Sequence, residues 1–141
     1  MDPAQALADL TEISSQIRAA VILDAAGKIS ASTLSDDATA ERVARAAREL
    51  LEAAEEVRRA DGEPRLAQLE AATPAGSVFV VREGEQTIAA ATSAEPTVGL
   101  VFYDLKSCLR SAVAEEAPNA RRRTTRRKTE PASETEGDGP S

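Results

Sequence analysis

Asp36 and Asp37 are adjacent carboxylates, a pairing that can act as an acid–base couple or as two ligands of a divalent metal. Their place directly before a long helical pattern points to a structural use instead, because Asp caps helix N termini and offsets the helix dipole. Asp24 opens an Asp-Ala-Ala-Gly segment and reads as a turn residue, its carboxylate bonding the backbone two residues on. The chain has no histidine, so histidine metal sites, histidine acid–base catalysis and Ser-His-Asp triads are absent. Cys108 is the single cysteine. It falls on the apolar side of the last helical pattern and reads as a small core residue rather than a reactive thiol. None of the seven glycines stands in a GxxxxGK[ST] or GxGxxG run, so the chain carries no phosphate loop. Gly99, at the start of the last helical pattern, reads as a close approach to the sheet. No residue set supports an enzyme, a metal site or a cofactor.

The charged residues offer surfaces rather than reactive centres. Arg42, Arg45 and Arg48, with Glu41, Glu49 and Glu52 between them, line one side of a helical pattern. Glu41/Arg45, Arg45/Glu49 and Arg48/Glu52 are (i, i+4) pairs, so this side is either a solvated helix face or a partner-contact surface. The net charge is −7, but residues 1–117 carry −9 and residues 118–141 carry +2. An acidic body repels phosphate and argues against nucleic acid as a partner of the folded part. The segment 118–141 is expected to be disordered. It holds a basic cluster from Arg121 to Lys128, in which Thr124 and Thr129 each have an arginine three residues before them. It reads as an inert solubilising tail, a contact for anionic surfaces, or a phosphorylation segment whose added charge would nearly cancel the cluster. One cysteine excludes an intrachain disulfide and fits a reducing compartment. No apolar run reaches the roughly 18 residues of a membrane span, and Met-Asp-Pro-Ala-Gln lacks the features of a signal peptide. A cytoplasmic protein is expected.

The elements that must position these groups can be read in order. Asp2 and Pro3 start a first helix whose Leu7, Leu10, Ile13 and Ile17 recur at helical spacing. Residues 17–34 read as a β-hairpin: an apolar strand Ile17–Leu23, a turn at Asp24–Gly27, and an alternating strand Lys28–Leu34 with Ile29, Ala31 and Thr33 on one face. A second, longest helix spans Ala38 to about Ala60. Val43, Ala47, Leu50, Ala54 and Val57 form its stripe, widened by Ala40, Ala44 and Leu51. Arg65–Ala71 is a polar third strand suited to an edge. Ser77–Arg82 is apolar on both faces and central, and Thr87–Thr92 is a fifth strand behind a tight Gly84 turn. Thr97 caps a last helix, Val98 to about Glu116, on which Val98, Val101, Phe102, Leu105, Leu109, Ala112 and Val113 share a face. The expected fold class is α+β, a five-stranded mostly antiparallel sheet with three helices in the order αββαβββα and helices on both faces. Residues 1–117 form the domain and 118–141 the tail.

Several segments then fit one family. Ala20-Val21-Ile22-Leu23-Asp24 with Gly27-Lys28-Ile29 resembles the first hairpin of the Roadblock family, which includes a class of dynein light chains. The capped Ala- and Leu-rich second helix resembles its central helix. Gly76-Ser77-Val78-Phe79-Val80-Val81-Arg82 resembles its central hairpin, and Pro96-Thr97-Val98-Gly99-Leu100 is similar to the start of its last helix. The likeness covers about residues 5–115 and rests on the ordered set of segments rather than on one motif.

The resemblance implies a homodimer in which the third strands pair into one continuous sheet and the second helices pack across the two-fold axis. The residues it assigns to that interface are Ala40, Ala44, Ala47 and Leu51 of the helix and Leu66, Gln68 and Glu70 of the strand. It also implies that bacterial members bind and regulate small Ras-like GTPases without being GTPases and without donating an arginine finger. The contact would fall on Arg42, Arg45, Arg48, Glu49 and Glu52. The residues lend support of their own: the wide Ala-rich arc offers more apolar surface than one sheet face covers, and small side chains let helices approach closely. The alternatives are a scaffold that assembles a signalling complex without changing GTP turnover, and a membrane-surface or nucleic-acid binder acting through the basic tail.

Overall fold

A computed structural model describes residues 1–59 and 67–116, with side chains described up to Ala112. Ile17–Leu23 forms strand β1 and Ile29–Ser32 strand β2, joined by a turn that Asp24 organises. The Asp24 carboxylate accepts from the amides of Ala26 and Lys28 at 2.9 and 3.0 Å. Gly27 takes φ 83° there, a left-handed conformation that costs glycine no steric strain. The sheet is completed by β3 (Gln68–Thr73), β4 (Gly76–Glu83) and β5 (Gln86–Thr92). All pairings are antiparallel, in the spatial order β2-β1-β5-β4-β3. Two local hairpin systems therefore meet along one long-range seam, β1 against β5.

Helix α1 (Pro3–Ile13) and helix α3 (Val98–Glu116) cover one face of the sheet, and helix α2 (Asp37–Arg59) covers the other. On the α1/α3 side the core joins Leu7 and Leu10 to Ile22, Phe79, Val81, Ile88, Val101, Leu105 and Leu109. Phe79 and Phe102 meet edge to face at 5.0 Å. On the α2 side Val21, Leu23, Val80 and Ala89 pack with Ala40, Ala44, Ala47 and Leu51. Small residues on both partners let the helix sit close to the strands.

Most expected elements stand where the sequence puts them, and the differences have physical causes. Ile29 and Ala31 were expected on one face. A bulge between Ile22 and Leu23 shifts the register, so Ile29 packs on the α2 side and Ala31 on the α1/α3 side. β2 stops at Ser32 because its hydroxyl oxygen accepts from the Leu34 amide at 2.9 Å and diverts the chain. β3 runs two residues past the expected Ala71 to Thr73, which pairs with Gly76 and whose hydroxyl donates to the Gly76 carbonyl at 2.6 Å. A Cβ on Gly76 would collide with the Thr92 carbonyl oxygen, so this turn admits only glycine. Ile13 lies 72 % exposed at the end of α1 and is not core. A Cβ on Gly99 would meet nothing, so Gly99 is not a close approach to the sheet. The segment 118–141, with Thr124 and Thr129, lies outside the described residues, as does Leu66.

Candidate protein-interaction site

Helix α2 presents three sides, and its rotation decides which residues are available. Asp36 fixes its start: the carboxylate accepts from the Thr39 amide at 3.1 Å and pairs with the Thr39 hydroxyl. The Thr39 hydroxyl, then the Thr39 amide, hold the Asp36 carboxyl below its ordinary value. Asp36 is thus a cap and not half of an acid pair.

The innermost side of α2 consists of Ala40, Ala44, Ala47 and Leu51, between 0 and 6 % exposed. These four were assigned to a dimer interface, but the chain's own sheet already covers them. Their small side chains mark the line where the helix comes nearest to β1, β4 and β5, not a surplus surface. Of the five residues expected to form the core stripe, Ala47 is buried and the other four are displaced to one flank. Val43, Leu50 and Ala54 are half-buried and Val57 is 71 % exposed. Val43, Leu50 and Val57 recur every seven residues, with Ala46 and Ala53 exposed three residues on from the first two. That spacing has the seven-residue periodicity of helix–helix seams.

On the same side of the sheet, Leu69 of β3 and Val78 of β4 touch the α2-side core while staying partly open. β3 is an edge strand hydrogen-bonded only to β4 among the described residues. Gln68 and Glu70 are exposed on it, and the Glu70 carboxylate accepts from the Ser77 hydroxyl at 3.2 Å. An open heptad flank, half-covered Leu69 and Val78, and a free strand edge all lie on the β3 half of the molecule.

The opposite flank of α2 is charged and partly committed to internal contacts. Arg48 donates to the Gly27 carbonyl oxygen at 2.7 Å and to the Glu41 carboxylate at 2.9 Å. This ties the helix to the β1–β2 turn. Arg82 of β4 pairs with Glu55 with its side chain only 11 % exposed. Burial pushes its guanidinium down from its usual value, and Glu85 opposes that shift. Arg48 and the Arg82–Glu55 pair are therefore fold-holding contacts. Arg42, Arg45, Glu49 and Glu52 are exposed and share the solvent-facing side between the two flanks. Of the five charged residues assigned to a partner, these four stand together and Arg48 is held apart.

The order αββαβββα, one helix against one sheet face and two against the other, and β3 at a sheet edge paired only with β4 among the described residues define the fold. The Roadblock/LC7 domain model matches residues 4–93. This chain belongs to the Roadblock/LC7 family. Solved structures agree with that placement. A Roadblock/LC7 domain from Streptomyces avermitilis, 18 % identical, superposes with a TM-score of 0.70 over 82 % of this chain and 98 % of its own. MglB from Myxococcus xanthus, 14 % identical, gives 0.65 over 77 % of this chain and 84 % of its own. An MglB structure with a tetrameric arrangement, 18 % identical, gives 0.68 over 80 % and 88 %. No curated protein matches the chain in sequence.

One group of this Roadblock domain read from the sequence as core is buried. Cys108 is buried, donates to the Ala6 carbonyl oxygen at 3.4 Å, and has its thiol pushed up to about 11 by burial and then by Asp9. Among the described residues no cluster of histidine, cysteine or carboxylate side chains could hold a metal ion. No described helix is long and apolar enough to cross a membrane. The open flank of Val43, Leu50 and Val57 was visible in the sequence only as part of a broad apolar arc. The seven-residue recurrence was the signal that separated it from the buried side.

Proposed function

We propose that this chain is a non-enzymatic, homodimeric Roadblock regulator or adaptor of a small Ras-like GTPase, acting in the cytoplasm of a bacterial cell. The observation that carries the reading is the seven-residue apolar seam Val43, Leu50, Val57 beside the free edge of β3. A second copy related by a two-fold axis covers both at once. Its seam packs helix against helix, and its β3 satisfies the unpaired amide and carbonyl groups of the edge. The interface then uses Gln68 and Glu70 along the strand, with the flank of α2 in place of its buried alanines.

Pairing two α2 helices brings two copies of the exposed Arg42, Arg45, Glu49, Glu52 side onto one surface. Alternating charges there supply steering and register for a folded partner. The family resemblance names that partner as a Ras-like GTPase, whose own groups perform hydrolysis. Single-turnover hydrolysis and nucleotide release by a bacterial small Ras-like GTPase, measured with and without this protein, test the proposal. A change in either rate that is lost on reversing Arg42 and Arg45 to Glu supports regulation. Binding with both rates unchanged supports the scaffold alternative, and no binding overturns the GTPase reading.

A further inference from the structure

The α1–α3 side of the sheet, away from α2, holds a cavity that the proposed function does not use. It measures about 300 Å³, the small end of the range that ligand pockets occupy. Leu10, Ile13 and Tyr103 give it apolar walls, and Ile13 and Tyr103 stand 72 and 67 % exposed where it meets solvent. Three charged residues also line it: Met1 and Asp9 from the N-terminal side and Asp104 from α3. The Met1 ammonium is engaged with α3, donating to the Ser111 carbonyl oxygen at 3.2 Å. Ser111 lies two turns beyond Asp104, about 10 Å along the helix. Asp9 accepts from the Gln5 side-chain amide at 3.0 Å, and its charge reaches the Cys108 thiol in the cavity wall. Asp104 has no such partner among the described residues. It is only 9 % exposed. Burial alone pushes its carboxyl up from the ordinary value, and no described cation, the Met1 ammonium included, pulls it back.

A buried carboxylate without a hydrogen bond is costly, and this one faces a cavity through which a partner can reach it. A metal ion is the wrong partner. Hard cations take six or more oxygens, and no group of three metal-binding side chains gathers among the described residues. Two carboxylates against one ammonium leave the lining net negative. A carboxylate set in apolar walls beside an aromatic ring suits an organic cation. Its hydrocarbon body matches Leu10 and Ile13, and its charged head matches Asp104 and the ring face of Tyr103.

We propose that the α1–α3 cavity binds a small aliphatic amine, its ammonium held by Asp104 with Asp9 beside it and its hydrocarbon body against Leu10, Ile13 and Tyr103.

Tyr103 is the only tyrosine and the chain has no tryptophan, so intrinsic fluorescence reports from the wall of this site. The test titrates the full-length protein at fixed ionic strength with hexylammonium chloride and, in parallel, with 1-hexanol. Hexylammonium should give a saturable change with a Kd at or below about 1 mM. Hexanol, which lacks the charge, should bind about 10- to 100-fold more weakly, the range of a hydrogen bond to a charged group. Asp104→Asn keeps the shape of the side chain and should erase that difference without lowering Tm, because it removes an unpaired buried charge. Ser107→Phe, at an exposed position of the lining, should fill the cavity and abolish binding of both probes. It decides the matter if Asp104→Asn does not fold. Hexylammonium binding that fails to saturate, matches that of hexanol, or survives Asp104→Asn or Ser107→Phe unchanged overturns the proposal. Tighter binding of Nα-acetyl-lysine amide also overturns it, by assigning the cavity to the lysine of a protein partner.

Discussion

Replacing Val57 by glutamate tests the self-association surface without touching the core. Val57 is 71 % exposed in the single chain and lies inside α2, where glutamate is a good helix former. The change alters the stability of the isolated fold by no more than about 0.5 kcal/mol. In a two-fold dimer built on the 43/50/57 seam it acts twice. Burying a valine side chain is worth about 1.5–3 kcal/mol, so two symmetric losses weaken association by about 3–6 kcal/mol. That is about a 10²- to 10⁴-fold rise in Kd. Ala47→Glu is the control with the opposite outcome. Ala47 is 1 % exposed against Val80 and Ala89, and an unpaired buried carboxylate costs about 3–5 kcal/mol. Light scattering over a dilution series gives the mass, and thermal melting by circular dichroism gives the stability. Val57→Glu should be a folded monomer where wild type is a dimer, and Ala47→Glu should melt far below both. A Val57→Glu variant that keeps the wild-type mass throughout refutes the seam. A stable, monomeric Ala47→Glu variant refutes the rotation of α2.

Three further outcomes follow from the same contacts. Gly76→Ala forces a Cβ against the Thr92 carbonyl oxygen and should cost about 2–4 kcal/mol in urea unfolding, a loss that an unchanged midpoint would contradict. Cys108, with its thiol pushed up to about 11 and buried, should react with a disulfide reagent at pH 8 at least about 100-fold more slowly than a free cysteine, and reach free-thiol rates only in denaturant. Asp36→Ala should lower Tm at neutral pH. Because the native carboxyl is held below its ordinary value of 3.8, the stabilisation is complete above that value and is lost as pH falls through the lower native one. The two melting curves should therefore converge in acid, and a difference that grows in acid would contradict the cap.

The sequence announced the fold better than it announced the surface. Asp2-Pro3, Asp24 with Gly27, Asp36 and Gly84 act within a few residues of themselves, so caps and turns could be placed from local chemistry. The rotation of α2 could not. Its apolar arc runs from Val57 round to Ala44, and side-chain size favours Val43, Leu50 and Val57 as the buried centre. The buried centre is instead Ala40, Ala44 and Ala47 with Leu51, packed on Val21, Val80 and Ala89 of the sheet. The bulge beside Leu23 was hidden for another reason. Alternation in Ile29–Ala31 is real, but an extra residue in the pairing reverses the face of one of them. Arg48 looked like its neighbours because its partner, the Gly27 carbonyl, is remote in sequence.

The β1–β5 seam has a consequence during synthesis. Val21, Ile22 and Leu23 of β1 are almost wholly buried in the finished fold, yet their partners Ala89, Ile88 and Thr87 are made more than sixty residues later. At translation rates of about 5–20 residues per second, β1 waits about 3–13 s with one edge unpaired. During that interval only the β2 hairpin and the newly formed α2 can shelter it. The nascent chain is then most exposed to chaperones and to mispairing, and completion of β5 is the event that commits it to the native sheet.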